Sequence, residues 1–128
     1  MCARSLRGVT VARKISKASF VMRALRKASY RWGPINEAGR LATSRRGYRH
    51  CAICGEEWHY KQTQKDHIIP VVPVTGFDSW DGVINRMFVD SPDQIQILCK
   101  ADHQLKSGLE AADRAKYRTR SKLKRRTK

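Results

Sequence analysis

The chain has 128 residues, of which 27 are Lys or Arg and 11 are Asp or Glu, so its formal charge at pH 7 is +16. This length favours one modest domain with a small hydrophobic core. No stretch approaches the ~18 consecutive apolar residues that span a bilayer, and no apolar run of signal-peptide length follows Met1, so the sequence disfavours a membrane protein and a secreted disulfide scaffold.

The positive charge is concentrated at the two ends of the chain. Residues 1–50 hold 13 basic side chains against 1 acidic, residues 51–113 hold 5 against 10, and residues 114–128 hold 9 against none. Basic arms of this kind gain free energy by releasing counterions from a polyphosphate, which predicts nucleic acid as the partner. Membrane binding is disfavoured because large apolar residues are sparse in the arms. An organelle transit peptide is the alternative for residues 1–36, although no cleavage signal is visible.

An amphipathic helix, or a pair of helices, is predicted between Val9 and Trp32, because apolar residues recur there every three or four positions. This apolar stripe consists of Ile15, Ala18, Met22, Leu25 and Ala28. The basic residues on the remaining circumference either lie along phosphates or keep a docking helix soluble. The candidate nucleic-acid contacts in this segment are Arg13, Lys17, Arg23, Arg26 and Lys27.

A helix end is predicted at Gly33-Pro34. A further short helix is predicted over residues 36–46, with Asn36 as its N-cap and Gly47 as its stop. We therefore expect residues 1–47 to form a basic helical extension that precedes the rest of the domain.

The segment Cys51-Ala52-Ile53-Cys54-Gly55 has the spacing of a zinc knuckle, in which two thiolates bind one zinc and the glycine permits a tight turn. Short strands on both sides would make the segment a hairpin. His50 and His59 are alternative ligands, but Cys99 offers a better thiolate. A redox pair is the other interpretation, yet it expects a thioredoxin-like βαβ context that does not follow here.

The side chains of Asp66 and His67 can bind a metal ion or transfer protons. A β-branched pair and Pro70 follow them directly in the sequence. Neighbouring residues on a strand point to opposite faces, so these two side chains address one phosphate only where the strand is twisted or ends. Pro70 supplies such an end because it cannot donate a ladder hydrogen bond. An isolated Asp-His pair is usually a surface feature, so its interpretation depends on the rest of the chain.

A helix capped by Ser79 and a half-buried strand over residues 94–98 are predicted next. The residues expected to form the apolar, core-facing side of the helix are Trp80, Ile84, Met87 and Phe88.

Cys99 leads into a last predicted helix, from Lys100 to about Lys116. From Arg114 onward the sequence is almost entirely basic. Composition therefore predicts that residues 114–128 form a flexible tail that is disordered unless nucleic acid is bound.

The order of four short motifs in this chain is similar to the order found in a known protein family. Cys-x-x-Cys is followed by Asp-His-Ile-x-Pro, by Gln-Ile-Gln-Ile-Leu-Cys and by His103-x-x-Lys106. This order resembles the HNH endonuclease family, specifically the zinc-stapled kind common in bacteriophage and mobile-element genomes, over residues 48–107. Each segment alone is a weak signal, and the ordered set is a strong one.

The resemblance implies an α+β fold with a small ββα-metal core at residues 48–113, and a metal-dependent endonuclease that hydrolyses DNA phosphodiester bonds. His67 matches the general base, whose reference pKa of about 6.5 suits it to accept the proton of the attacking water. Asp66 and His103 match the ligands of a catalytic divalent cation, and their mixed oxygen and nitrogen donors suit Mg²⁺, Mn²⁺ or a later transition metal. Gln94 stands where the family has an Asn that steadies the base.

Relatives in this family usually place a second Cys-x-x-Cys after the second strand, and this chain has Cys99 followed at that spacing by Asp102. A carboxylate can complete a tetrahedral zinc site, so the resemblance implies a structural zinc. Its ligands would be Cys51, Cys54, Cys99 and Asp102.

Duplex DNA is the expected partner, ahead of RNA, and Lys106, Arg125 and Arg126 join the candidate contacts. The expected location is the cytoplasm of a bacterium or of a phage-infected host cell. Gln94 and Asp102 depart from the family pattern, which motivates a second hypothesis, a nucleic-acid-binding or assembly module with weakened catalysis. A zinc ribbon of a ribosome-like particle is a third, and it would prefer structured RNA.

Overall fold

The structure, a computed structural model, describes residues 14–127, so Cys2 and the predicted contact Arg13 lie outside the described residues. The described chain is α+β, with four α-helices and two small antiparallel sheets. The helices are α1 (Lys17–Ser29), α2 (Gly33–Leu41), α3 (Trp80–Met87) and α4 (Lys100–Arg126), and the strands are β1 (Thr43–Arg45), β2 (Tyr48–His50), β3 (Glu57–His59), β4 (Thr63–His67) and β5 (Ile95–Cys99).

Both sheets are antiparallel, and their register determines which side chains meet. One sheet has the order β1-β2-β3, and the other pairs β4 with β5. In the second sheet Asp66 lies opposite Gln96, and His67 lies opposite Ile95. His67 is the last residue of β4, which confirms the prediction that the strand ends at the Asp-His pair.

The first helix is confirmed in part, and the second begins earlier than predicted. The α1 helix starts after Ser16, whose hydroxyl accepts a hydrogen bond from the Ser19 amide at 3.1 Å. The α2 helix begins at Gly33 rather than after Asn36, because Pro34 in the first turn has its φ already set for a helix and needs no N–H there. Residues 43–45 form β1, and Gly47, at φ +83°, lies in the turn to β2.

The hydrophobic core consists of small clusters between the helices and β5. Val71, Val83 and Met87 form one cluster, against which α1 packs Met22 and Leu25. A second cluster contains Ile35 and Ala38 of α2 with Val89 and Ile95. The predicted core side of α3 is therefore correct for Met87, and Trp80 and Phe88 also pack on that cluster, but Ile84 is 41% exposed.

The loop before α3 is fastened to the helix by one arginine. Ser79 caps α3 as predicted, accepting a hydrogen bond from the Gly82 amide at 3.0 Å. Arg86 donates to the Val71 carbonyl at 2.8 Å and to Asp78 Oδ1 at 2.6 Å. The Arg86 hydrogen bond lowers the pKa of Asp78 to about 2, so this carboxylate stays ionised at neutral pH.

The last helix is longer than predicted. The α4 helix runs to Arg126, so the predicted helix end at about Lys116 is wrong. Ala, Leu, Lys and Arg are good helix formers, and their propensity is sufficient in this segment to continue the helix. No helix in the described part of the chain combines the length and apolarity needed to cross a membrane.

Candidate functional site

Four predicted zinc ligands come together at the junction of β2, β5 and α4. They are Cys51, Cys54, Cys99 and Asp102, and their ligand atoms all lie within 4.8 Å of one another. Cys51 directly follows β2, Cys99 ends β5, and Asp102 lies in the first turn of α4. Three separate elements therefore bring their donors to one point.

The knuckle turn is held by backbone hydrogen bonds. Gly55 has φ +72°, which an L side chain rarely adopts, and its amide donates to the Cys51 carbonyl at 2.9 Å. The Ala52 amide donates to the Ile97 carbonyl at 2.8 Å, which ties the turn to β5. This confirms the predicted role of Gly55 and fixes the position of the first two thiols relative to Cys99.

Hydrogen bonds to Asp102 shift the pKa values of the groups in the cluster. Asp102 Oδ2 accepts hydrogen bonds from the thiols of Cys51 at 3.2 Å and Cys99 at 3.3 Å, and these bonds lower the pKa of Asp102. A backbone hydrogen bond from Asp102 lowers the pKa of Cys99, but burial and the side-chain bonds with Asp102 and Cys51 outweigh it and raise that pKa to about 11. Metal binding would have to displace this proton.

The donor set and its spacing fit zinc. Thiolate and carboxylate donors about 2.0–2.3 Å from a tetrahedral zinc are separated by roughly 3.3–3.8 Å. The two sulfur–oxygen distances to Asp102 are close to this range. Among the described residues, His50 and His59 do not belong to the cluster, in agreement with the preference for Cys99.

A second candidate site is a polar cavity of about 290 Å³ between the β4–β5 sheet, α1 and α4. Asp66, His67 and His103, the three residues predicted to form a catalytic centre, all line it. His103 Nε2 lies 3.7 Å from Asp66 Oδ1, and the Asp66 side chain is only 13% exposed. The sheet register and the first turn of α4 thus bring together residues that are far apart in sequence.

Asp66 is held by polar partners on two elements. Gln96, its cross-strand neighbour, donates from Nε2 to Asp66 Oδ2 at 2.9 Å. Lys106 Nζ lies 2.9 Å from the same oxygen, 2.6 Å from Glu110 Oε1 and 2.9 Å from the His67 carbonyl. Burial lowers the pKa of Lys106, but the hydrogen bonds to Asp66 and Glu110 outweigh it and raise that pKa. Lys106 therefore lies inside the site, as a charge partner of Asp66.

The imidazole of His67 is oriented by the end of α3. Its Nε2 lies 2.9 Å from the carbonyl oxygen of Met87, the last residue of that helix. Carbonyls in the last turn of a helix have no intrahelical partner, so Met87 is free to accept this bond. Because a carbonyl only accepts, Nε2 must carry the hydrogen, and Nδ1 remains the proton-accepting nitrogen of the neutral ring.

Among the described residues, Gln94 makes no hydrogen bond to the His67 ring. Its side-chain oxygen accepts a hydrogen bond from the Asp90 amide at 3.1 Å, and its carbonyl accepts one from the Ile68 amide at 3.2 Å. Gln94 therefore supports the loop before β5 and the chain after His67. The Met87 carbonyl, which sequence reasoning did not anticipate, makes the contact with the imidazole.

The cavity has an excess of positive charge. Four basic side chains, Arg26, Lys65, Lys106 and Arg114, line it together with two acidic ones, Asp66 and Glu110. Burial, and then the charge of Arg49, lower the pKa of Lys65. A cavity of this composition is electrostatically suited to a phosphodiester that passes beside a half-buried carboxylate.

Sequence reasoning missed Glu110 and Arg114, which line the cavity, and Gln96, which donates a hydrogen bond to Asp66. A signal for two of them was present, because Glu110 and Arg114 follow His103 at helical intervals of seven and eleven residues. Arg114 Nη2 also donates to the Val72 carbonyl at 3.0 Å, which joins α4 to the loop after β4. Gln96 required knowledge of the strand register.

The other predicted nucleic-acid contacts lie at the surface. Arg26 on α1 lines the cavity, whereas Lys17, Arg23 and Lys27 are exposed elsewhere on the same helix. Arg125 and Arg126 are exposed at the end of α4. These five exposed basic groups are therefore accessible to a polyanion.

Comparison with known proteins gives no match to a family model, to a curated protein or to a solved structure. The site geometry and the sequence pattern are therefore the basis for assigning a function.

Proposed function

We propose that the protein is a metal-dependent endonuclease of the HNH type that hydrolyses phosphodiester bonds in DNA. The observation that carries this proposal is the convergence of Asp66, His67 and His103 on one polar cavity lined by four basic side chains. Asp66 and His67 lie on β4, and His103 lies on α4. The element order β4, β5, α4 is consistent with a ββα-metal core.

His67 is the proposed general base. With Nε2–H donated to the Met87 carbonyl, the ring is held in the tautomer whose Nδ1 can accept a proton from water. The Met87 carbonyl also stabilises the imidazolium that results, because it accepts the Nε2–H bond in both protonation states. Proton transfer by a positioned base contributes typically about 10²–10⁴-fold to a rate.

Asp66 and His103 would hold the divalent cation, which stabilises charge on the phosphoryl and leaving oxygens when bound. Cis ligands of an octahedral Mg²⁺ are about 3 Å apart, so the 3.7 Å between Asp66 Oδ1 and His103 Nε2 requires only a small adjustment. Gln96 fixes the Asp66 carboxylate by donating to Oδ2. Arg26, Lys106 and Arg114 supply positive charge for the phosphodiester.

The zinc cluster would act as a structural staple for this centre. Cys99 ends β5 and Asp102 lies in the turn of α4 that also carries His103. Binding zinc there would fix the start of α4 relative to β5, and so would fix His103 relative to Asp66.

A DNA-binding or assembly module without cleavage is the second candidate function. Two contacts favour it: the Lys106 ammonium lies 2.9 Å from Asp66, and Gln94 is bound to Asp90 instead of the His67 ring. Such a module would bind DNA with strong salt dependence through its basic arms and would not cut it.

Nicking of supercoiled plasmid distinguishes these two functions. We expect the full-length protein to convert supercoiled plasmid to nicked or linear DNA with Mg²⁺ or Mn²⁺, and Asp66→Asn to abolish this conversion, because the amide is a poorer metal ligand. Asp81→Asn, which removes an exposed carboxylate in the first turn of α3, is the matched control and should cut normally. Plasmid binding without nicking in Mg²⁺, Mn²⁺, Co²⁺ and Ni²⁺ would contradict the nuclease proposal and support the binding module.

A further inference from the structure

Two basic side chains on the strands β2 and β4 lie against one glycine. Arg49 on β2 and Lys65 on β4 both pass Gly39 of α2, so closely that a Cβ at Gly39 would lie 3.3 Å from Arg49 Nη2 and 3.1 Å from Lys65 Cε. Gly39 is buried. The absence of a side chain there lets the two positive charges lie side by side.

Neither charge is neutralised within the described part of the chain. None of the ion pairs among residues 14–127 includes Arg49 or Lys65. Lys65 Nζ donates to the uncharged side-chain oxygen of Asn36 at 3.3 Å. Like charges held together raise the free energy of the protein, and an anion between them would lower it.

The pair lies between the cavity and an aromatic groove. Lys65 lines the cavity that contains Asp66 and His67. Arg49 lines a separate groove of about 410 Å³ next to the β1–β2 turn, together with Tyr48 and Tyr60. Arg49 Cζ is 6.0 Å from the centroid of the Tyr60 ring, and Tyr60 is 46% exposed.

We propose that Arg49 and Lys65 bind one backbone phosphate of the nucleic acid next to the cleavage centre, and that the strand continues over the β1-β2-β3 sheet with a nucleotide beside Tyr60. This inference rests on the proposed function. A guanidinium can bind two phosphate oxygens, an ammonium adds a point charge, and an exposed tyrosine ring offers a stacking surface. The contacts predicted from the sequence lie on the two arms and at Lys106, and they do not include Arg49 or Lys65.

Binding of a fluorescently labelled duplex oligonucleotide, measured by anisotropy without added divalent cation, tests this phosphate site. We expect Arg49→Gln and Lys65→Met each to weaken binding about fivefold at low salt, and the double variant to reduce the slope of log affinity against log salt by about one. Arg40→Gln is the matched control, because its guanidinium already pairs with Glu37. Arg49→Lys with Lys65→Arg keeps both charges and should retain most of the wild-type slope, even if either position also matters for folding.

A salt slope that is unchanged in the double variant, or that falls equally in Arg40→Gln, would overturn the phosphate site. If the charge-preserving pair lost the slope as completely as the neutral pair, the effect would be structural and the proposal would also be wrong. Failure of the wild-type protein to bind DNA at all is a different result, and it would contradict the proposed function itself.

Discussion

Substitution of His67 by Gln is expected to lower the rate of plasmid cleavage by about 10²–10⁴-fold and to leave the affinity for DNA within about twofold of the wild type. The reason is that Gln can still donate to the Met87 carbonyl from its amide, so the polar contact at the end of α3 is kept, while no group remains that accepts a proton near neutral pH. Alanine at this position would remove the donor to the Met87 carbonyl. If no water replaced that donor, the free energy of unfolding would fall by about 1–3 kcal/mol.

The matched control is His59→Gln, because His59 lies on β3 with its Nδ1 accepting a hydrogen bond from the Lys61 amide and is not a lining residue of the cavity. Its cleavage rate should equal that of the wild type. Wild-type cleavage by His67→Gln would exclude His67 as the general base.

The second large effect is expected at the zinc cluster. The purified protein should contain one zinc per chain, and Cys99→Ala should lose it and lower the free energy of unfolding by at least about 3 kcal/mol, because structural zinc binding is worth about 10–16 kcal/mol in zinc-finger peptides. Cys99 is 3% exposed and packs with Cys51 and Leu98, so the lost staple lies within a core cluster. Metal analysis and urea unfolding measure the two quantities.

His50→Ala is the control for this prediction, since His50 is exposed, adjoins the knuckle and is not part of the donor cluster. It should retain both the zinc and the unfolding midpoint. If Cys99→Ala kept a full equivalent of zinc, or if His50→Ala lost it, the assigned ligand set would be wrong.

The parts of the molecule that the sequence predicted well are those fixed by short-range chemistry. Cys51 and Cys54 are joined by a turn that Gly55 permits, so the first pair of candidate zinc donors follows from spacing. Cys99 and Asp102 are one helical turn apart, and the family resemblance identifies them as the second pair. Only the meeting of the two pairs needed the tertiary structure, and there the family resemblance supplied the expectation.

The parts that sequence missed depend on long-range register or on the backbone. The contact of Gln96 with Asp66 follows from the pairing of β4 with β5, and a one-residue shift would have pointed Gln96 to the other face. The group that accepts the hydrogen bond from His67 is a main-chain carbonyl. Every residue has a main-chain carbonyl, so residue types alone cannot predict which one makes this contact. The α4 helix is longer than predicted because the helix propensity of its Ala, Leu, Lys and Arg residues outweighs the repulsion between their charges.

The most direct test of the proposed centre is a crystal structure of full-length His67→Gln with a short DNA duplex and Mn²⁺, measured at the zinc and manganese absorption edges. We expect a zinc peak among Cys51, Cys54, Cys99 and Asp102, and a separate manganese peak between the Asp66 carboxylate and the His103 imidazole, next to a phosphate. Manganese bound elsewhere, with Asp66 still paired with Lys106 and no phosphate in the cavity, would contradict the assignment of this site as a nuclease centre.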